Sequence, residues 1–449
     1  MKTAAADEST TRTSRDARSA RPKTSPGPSG RAKPKIGLAL AGGGPLGAIY
    51  EIGALCALEE AVGGLDLNAL DGYVGVSAGS FMAAGLANGM TARQLCAAFI
   101  EDDRRSPDHV PASMFMRPAL GEYLRRAATV PRLVREAAWR VASGDTLLSV
   151  AEHLGRALPT GLFSHAPIEA RMRAILEAPG RSNDFRRLQR DRGRRLVVVA
   201  THLDSGEAAP FGQPGLDHVP ISRAVAASAA LPGLFTPVDI GGRWYVDGAL
   251  KKTLHATVLL DMGLDLVLCL NPLVPFDASH SLRHRVLAGG VPTIPHLVEG
   301  GLPVVLSQTF RSLIHSRLEL GLKGYANSHP GVDVLLFEPD RRDPAMFLAN
   351  VFAYGQRRAL AEHAYQRTRA DLRSRRSVLR ATFAAHGMVL CDAVLDDHHR
   401  RLVPRPRLYR SDARSRPHRP SAQALLRLDE VLDDLERLLP QHAARHQPR

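Results

Sequence analysis

Apolar positions alternate between short runs and helical stripes along the first half of the chain. Ile36-Gly37-Leu38-Ala39-Leu40 is a short apolar run and reads as a buried parallel strand. A glycine stretch, Gly42-Gly43-Gly44, follows it, and then Ile49, Ile52, Leu55 and Leu58 recur at helical spacing. A second run, Tyr73-Val74-Gly75-Val76, ends at Ser77 and leads into a small-residue helix over 78–87. Strand, glycine loop, helix, strand, tight turn and helix make a βαβ unit, whose crossover is expected to be right-handed. Further strands are expected around Leu196–Val199, Trp244–Val246, Leu264–Leu270 and Val332–Phe337. The stretch Thr91–Leu176 reads as mostly helical, with Thr91 as an N-cap and Pro167 in a first turn. The alternation predicts an α/β fold: a mostly parallel central sheet with helices on both faces, plus a C-terminal helical extension.

Composition divides the rest. Residues 1–34 carry eight basic and three acidic residues and no apolar run, so they read as a disordered basic tail. Residues 35–340 are expected to form the catalytic domain, and 341–399 a helical extension containing one long helix over Met346–Leu372. Within the former, Phe276–Gly301, rich in Gly, Pro and His, reads as a surface connection, with a flap near the site as the alternative. Residues 400–449 read as an Arg/Pro-rich linker and a terminal amphipathic helix, capped by Ser421 and carrying Leu425, Leu428, Leu432, Leu435 and Leu439 as a short heptad seam.

The formal charge of +14 and a pI near 10.1 favour contact with an anionic membrane surface, and nucleic acid is not expected as a partner. No apolar signal segment and no uncharged run long enough to span a bilayer is visible; Val258–Pro275 is interrupted by Asp261 and Asp265. The expected location is cytoplasmic, with contact at a membrane surface weighed against a merely soluble basic protein. Cys56, Cys96, Cys269 and Cys391 form no paired motif and read as free thiols, not as a disulfide framework or a zinc site.

The chemistry centres on Gly75-Val76-Ser77-Ala78-Gly79. A serine between glycines at a strand-to-helix turn matches a nucleophile elbow, in which the small flanking residues permit the sharp turn. The Gly42–Gly44 loop offers backbone N–H groups to an anion. It also fits the spacing of a dinucleotide-binding turn, with Asp66 or Asp71 near the offset for a ribose. Ser77, at the end of the very next strand, belongs to no such fingerprint, and an oxyanion hole is the simpler use of the loop. A serine needs a base. His255 follows Asp247 in the order of an α/β-hydrolase triad. Asp247, in Tyr245-Val246-Asp247-Gly248-Ala249, stands at a strand end, although by pattern alone it reads first as a turn aspartate beside Gly248.

Together these blocks resemble the patatin-like phospholipase family, whose pattern is a GGGxxG loop, then GxSxG, then Asp-Gly-Ala or Asp-Gly-Gly. The stretch Ala226–Pro237 is similar to the family's block ahead of the aspartate. The resemblance covers Lys35–Leu250 and continues loosely to about residue 340. It implies a Ser–Asp dyad with Ser77 as nucleophile and Asp247 as general base, an oxyanion hole at Gly42, Gly43 and Gly44, and Gly75 and Gly79 as the elbow. The implied reaction is hydrolysis of fatty-acyl esters of phospholipids or glycerolipids, with no metal and no cofactor. An acyltransferase using the same acyl-enzyme and a non-catalytic membrane-associated protein on this fold are the alternatives. One departure stands out: Pro45-Leu46 occupies the place where many members carry Arg or Lys, and Pro45 has no N–H.

Overall fold

The computed structural model of the chain describes residues 33–101, 106–278, 296–347 and 356–403. The tail over 1–32, the middle of the Phe276–Gly301 connection and the terminal heptad helix lie outside these residues.

In chain order the strands are β1 (Ile36–Leu40), β2 (Val62–Gly63), β3 (Gly72–Val76), β4 (Gly161–Phe163), β5 (Arg195–His202), β6 (Ala208–Phe211), β7 (Gly233–Phe235), β8 (Val238–Ile240), β9 (Arg243–Asp247), β10 (Leu266–Leu270), β11 (Asp333–Phe337) and β12 (Val389–Leu390). The helices are α1 (Gly44–Ala61), α2 (Ala78–Ala87), α3 (Ala92–Phe99), α4 (Leu120–Ala142), α5 (Leu147–Gly155), α6 (Ala166–Leu176), α7 (Phe185–Arg192), α8 (Ile221–Ser228), α9 (Thr257–Leu260), α10 (Gly301–Ser328), α11 (Pro344–Phe347), α12 (Arg357–Ser374), α13 (Arg376–Ala385) and α14 (Asp392–Leu395).

The main sheet has the order β11-β10-β1-β3-β5-β9-β8, with β6 also paired to β5. The run from β11 to β5 is parallel, as alternation with helices predicts. β9 closes that side antiparallel to β5, β8 is antiparallel to β9, and β6 is antiparallel to β5. The sheet is therefore mostly parallel with an antiparallel margin. Because side chains alternate across a strand, each apolar run feeds two cores. Leu38, Leu40, Tyr73, Leu196 and Val198 face one, under α1, α2 and α8. Ala39, Val74, Val76, Val197 and Val199 face the other, under Leu259 of α9 and Leu318 and Tyr325 of α10. Burial on both faces explains why these strands read as continuous apolar runs.

Local signals behave as their chemistry requires. Thr91 caps α3 in a capping box with Gln94, and Pro167 lies in the first turn of α6. Where one helix was expected over Met346–Leu372, α11 ends at Phe347 and α12 begins at Arg357, with 348–355 outside the described residues. α12 packs tightly on α1: a Cβ at Gly53 would stand 2.6 Å from the Ala361 carbonyl oxygen. Cys56, Cys96 and Cys269 are buried free thiols, and Cys391 is half-buried.

Candidate active site

Strand pairing decides which side chains meet. β5 lies between β3 and β9, with Val76 paired to Val199 and Ala200 to Asp247. One residue beyond Val76 the chain turns into α2, so Ser77 arrives level with Asp247 across β5. The Ser77 hydroxyl donates to Asp247 Oδ2 at 2.6 Å. Both residues are buried, Ser77 at 6% exposure and Asp247 at 2%.

Ser77 is the one non-glycine residue with positive φ among the described residues, at φ 49° and ψ −120°. That conformation costs about 1–3 kcal/mol and persists only where surroundings over-determine it. They do so here. The Ser77 N–H donates to Ser228 Oγ at 2.8 Å, and the Ser228 hydroxyl donates to the Val199 carbonyl at 2.6 Å. Ser228 thus ties the elbow to β5. It lies inside the quoted block Ala226–Pro237, but nothing in the residue pattern singles it out. The flanking glycines admit the turn for lack of space: a Cβ at Gly75 would stand 2.5 Å from Ser80 Cα, and one at Gly79 2.5 Å from the Leu40 carbonyl oxygen.

The carboxylate is held from its other side. The Ala249 N–H donates to Asp247 Oδ1 at 2.8 Å, the Asp247 N–H donates to the Ala230 carbonyl at 3.0 Å, and the Thr201 hydroxyl donates to the Asp247 carbonyl at 3.0 Å. Gly248 crosses β5 too closely for any side chain, since a Cβ there would stand 2.1 Å from the Val199 carbonyl oxygen. Burial pushes the Asp247 pKa up to about 6, against the lowering effects of the Ser77 and Ala249 hydrogen bonds.

The glycine loop lies against this pair. A Cβ at Gly42 would stand 3.0 Å from Ala249 Cβ and 3.1 Å from Ser77 Cβ. Gly43 precedes α1, and Gly44 opens that helix with φ +59°, a conformation that favours glycine. Among the described residues, the N–H groups of Gly42, Gly43, Gly44 and Ala78 donate no hydrogen bond within the protein. They stand beside a helix N-terminus, where donors without partners suit an anionic oxygen. Glu51, further along α1, is wholly buried, and desolvation raises its pKa well above the ordinary carboxylate range.

Two alternatives find no support in the geometry. His255 touches neither Ser77 nor Asp247 through a hydrogen bond; its Nε2 is buried without a partner among the described residues, and burial pushes its pKa down to about 4. Asp71 accepts from the Ile36 N–H at 2.8 Å, at the opposite end of β1 from the glycine loop, and Asp66 accepts from the Asn68 N–H at 2.8 Å. Neither is placed for a ribose. Among the described residues no group of three or more His, Cys, Asp or Glu is arranged to hold a metal ion.

The site is thus a serine on a strand-to-helix turn, bonded directly to a buried aspartate beside glycine amides, on a mostly parallel α/β sheet. Residues 38–260 match the family model described as patatin-like phospholipase. Among solved structures, the chain is similar to VipD from Legionella pneumophila, with 17% identity over 56% of this chain and 52% of that one and a TM-score of 0.30. It is similar to the type III effector protein ExoU, with 17% identity over 76% and 53% and a TM-score of 0.33. Full-length ExoU with SpcU from the type III secretion system of Pseudomonas aeruginosa matches at 16% identity over 65% and 53%, with a TM-score of 0.26. The match spans about half the length of each of these proteins.

Proposed function

We propose that this chain is a lipid acyl hydrolase that cleaves fatty-acyl ester bonds of phospholipids or glycerolipids through a Ser77–Asp247 dyad and an acyl-enzyme. Residues 35–340 are its catalytic body, and 341–399 a helical extension. The observation that carries the reading is the 2.6 Å hydrogen bond from Ser77 Oγ to Asp247 Oδ2, with no histidine between them.

Each step follows from the groups present. Oδ1 is occupied by the Ala249 N–H, so Oδ2 is the oxygen left to take the serine proton. A carboxylate of ordinary pKa is a weak base for a hydroxyl, and burial strengthens it. As Oγ bonds to the acyl carbon, negative charge grows on the carbonyl oxygen, and the N–H groups of the Gly42–Gly44 loop are the donors for it. The ester C–O bond breaks, and the proton held on Asp247 passes to the leaving alcohol. Water then repeats the sequence: Asp247 takes its proton, the hydroxyl attacks the acyl carbon, and Ser77 leaves with the proton returned. The positive charge of the chain favours a substrate presented at an anionic lipid surface.

The test is hydrolysis of a lipid panel and of a short-chain ester by wild type, Ser77→Ala and Asp247→Asn. Each variant is expected to lose about 10³-fold or more in kcat/KM. Wild-type turnover by either variant would overturn the dyad.

A further inference from the structure

The α4–α5 hairpin carries two apolar stripes where one would serve. α4 buries Leu133 and Ala137. Its other stripe, Leu120, Leu124, Ala127, Val134, Ala138 and Val141, recurs at heptad spacing and faces water. A surface helix ordinarily turns its apolar stripe to the core. Trp139 is 76% exposed, and Leu148 of α5 is 80% exposed. Apolar side chains scattered singly on a surface need no explanation, whereas a continuous series marks a contact surface.

The charge beside this stripe has one sign in excess. α4 contains five arginines and two glutamates. On the helical wheel Arg125, Arg132, Arg135 and Trp139 fall along one border of the exposed stripe. A cleft of about 410 Å³ is lined by Arg135, Glu136, Trp139, Arg140 and His153. Glu136 is engaged there by Arg132 at 2.8 Å and by His153 at 3.0 Å. Arg135 makes no ion pair among the described residues, and Arg140 reaches Asp145 at 3.3 Å. The one acid of the cleft is thus taken, and its free character is cationic.

The hairpin hangs from the strand next to the candidate active site. Ala119 N–H donates to the Leu162 carbonyl at 3.1 Å, and the Tyr123 hydroxyl donates to the same oxygen at 2.5 Å. Leu162 lies in β4, which pairs with β7. β7 follows Ala230, whose carbonyl receives the Asp247 N–H.

We infer that the α4–α5 hairpin is a membrane-docking element: its outer stripe lies in the interface of an anionic phospholipid bilayer, and a lipid phosphate sits in the Arg135–Arg140 cleft beside Trp139. A bilayer is the occupant that matches every part of the surface. Leu and Val side chains bury in the acyl boundary, Trp sits at headgroup level, and arginines extend to lipid phosphates. The choice of a lipid surface rests on the lipid-hydrolase reading, but docking does not require turnover, so the two are tested apart.

The full chain carrying Ser77→Ala keeps vesicles intact during the measurement. Adding Trp244→Phe leaves Trp139 as the single tryptophan, since the chain has two. With phosphatidylcholine vesicles containing phosphatidylglycerol, Trp139 emission should move to shorter wavelength. Co-sedimentation should be at least about tenfold tighter than with phosphatidylcholine alone, and weaker at high salt. In separate proteins, Val134→Glu with Leu124→Glu, and Arg135→Glu with Arg140→Glu, should each weaken vesicle binding about tenfold. Undiminished binding by both double variants, or an unshifted Trp139 emission, overturns the docking element and leaves the stripe to a protein partner. Vesicle binding by a protein whose serine proves inert toward esters would sustain the docking and defeat the hydrolase.

Discussion

Two helix pairs in this chain use apolar residues in opposite ways. α1 and α2 follow the glycine loop and the elbow, and they are apolar nearly all round: every residue of α2 is buried, and α1 buries Ile52, Ala54, Leu55 and Leu58 between the sheet and α12. α4 and α5 bury one narrow stripe and expose another. The first pair is a clamp. It can hold Ser77 at φ 49° because nothing around it has room to relax. The second pair has an outward face that packing inside the chain does not explain. Rigidity and an outward apolar face are thereby divided between adjoining regions, and the proposed hydrolysis at a lipid surface would use both.

The sharpest way to break this contrast is to truncate one leucine from each pair. Leu58→Ala, at a fully buried position of α1, is expected to cost about 2–5 kcal/mol in denaturant unfolding. Leu124→Ala, 72% exposed on α4, is expected to stay within about 0.5 kcal/mol of wild type. If the two substitutions cost the same, the α4 stripe is part of a core and the division fails.

Titration gives a second contrast, with opposite signs. Asp247 has its folded-state pKa raised from 3.8 to about 6 by burial. The fold therefore prefers the protonated acid. The stability this group contributes is fully present below the unfolded value and is lost as pH rises to about 6, a swing of about 3 kcal/mol. Asp247→Asn removes the swing, so the stability of the variant relative to wild type should climb between pH 4 and pH 6 and then level. Glu136 on α4 is held below its ordinary value, first by the Arg132 hydrogen bond, and so contributes in the other direction, losing its effect as pH falls. Thermal melts of the two proteins across this range check the sign. Short-chain ester turnover by wild type should rise with pH through about 6, because in the proposed reaction the ionised carboxylate is the base.

Much of the scaffold is legible in the chain because it is buried on both sides. Four apolar runs become parallel strands since a doubly covered strand leaves no polar face to confuse the pattern, and a fifth, β11, is half-buried at the sheet edge. The margin is not legible. Trp244–Val246 is recognisably a strand, yet nothing in three residues says that it runs antiparallel to β5, and the pairing of Val62–Gly63 with Val389–Leu390 is too short to leave a period. The exposed stripe of α4 is invisible for a related reason: spacing tells that a helix has an apolar face, not whether that face finds a neighbour. Asp247 is the most instructive residue. Its pattern reads as a turn aspartate, and Oδ1 does cap the Ala249 N–H. Only the fold supplies the second relation, Oδ2 to a serine 170 residues earlier. The cap and the serine bond use different oxygens of one carboxylate.

The smallest expected effect probes the clamp where it meets the chemistry. A methyl group at position 42 would stand 3.0 Å from Ala249 Cβ and 3.1 Å from Ser77 Cβ, inside ordinary contact but not against backbone. The neighbours must yield by a few tenths of an ångström, and the ones that yield are Ala249, two residues after Asp247, and Ser77 itself. Gly42→Ala should therefore lower kcat for a short-chain ester about tenfold while leaving the unfolding midpoint close to wild type, since displacement of reacting groups is felt in rate before it is felt in stability. A larger loss of stability than of rate would mean that the loop supports the core instead of aligning the serine. Wild-type turnover would mean that the glycine loop is free to move away from Ser77, and that the rigid half of the molecule ends short of its active site.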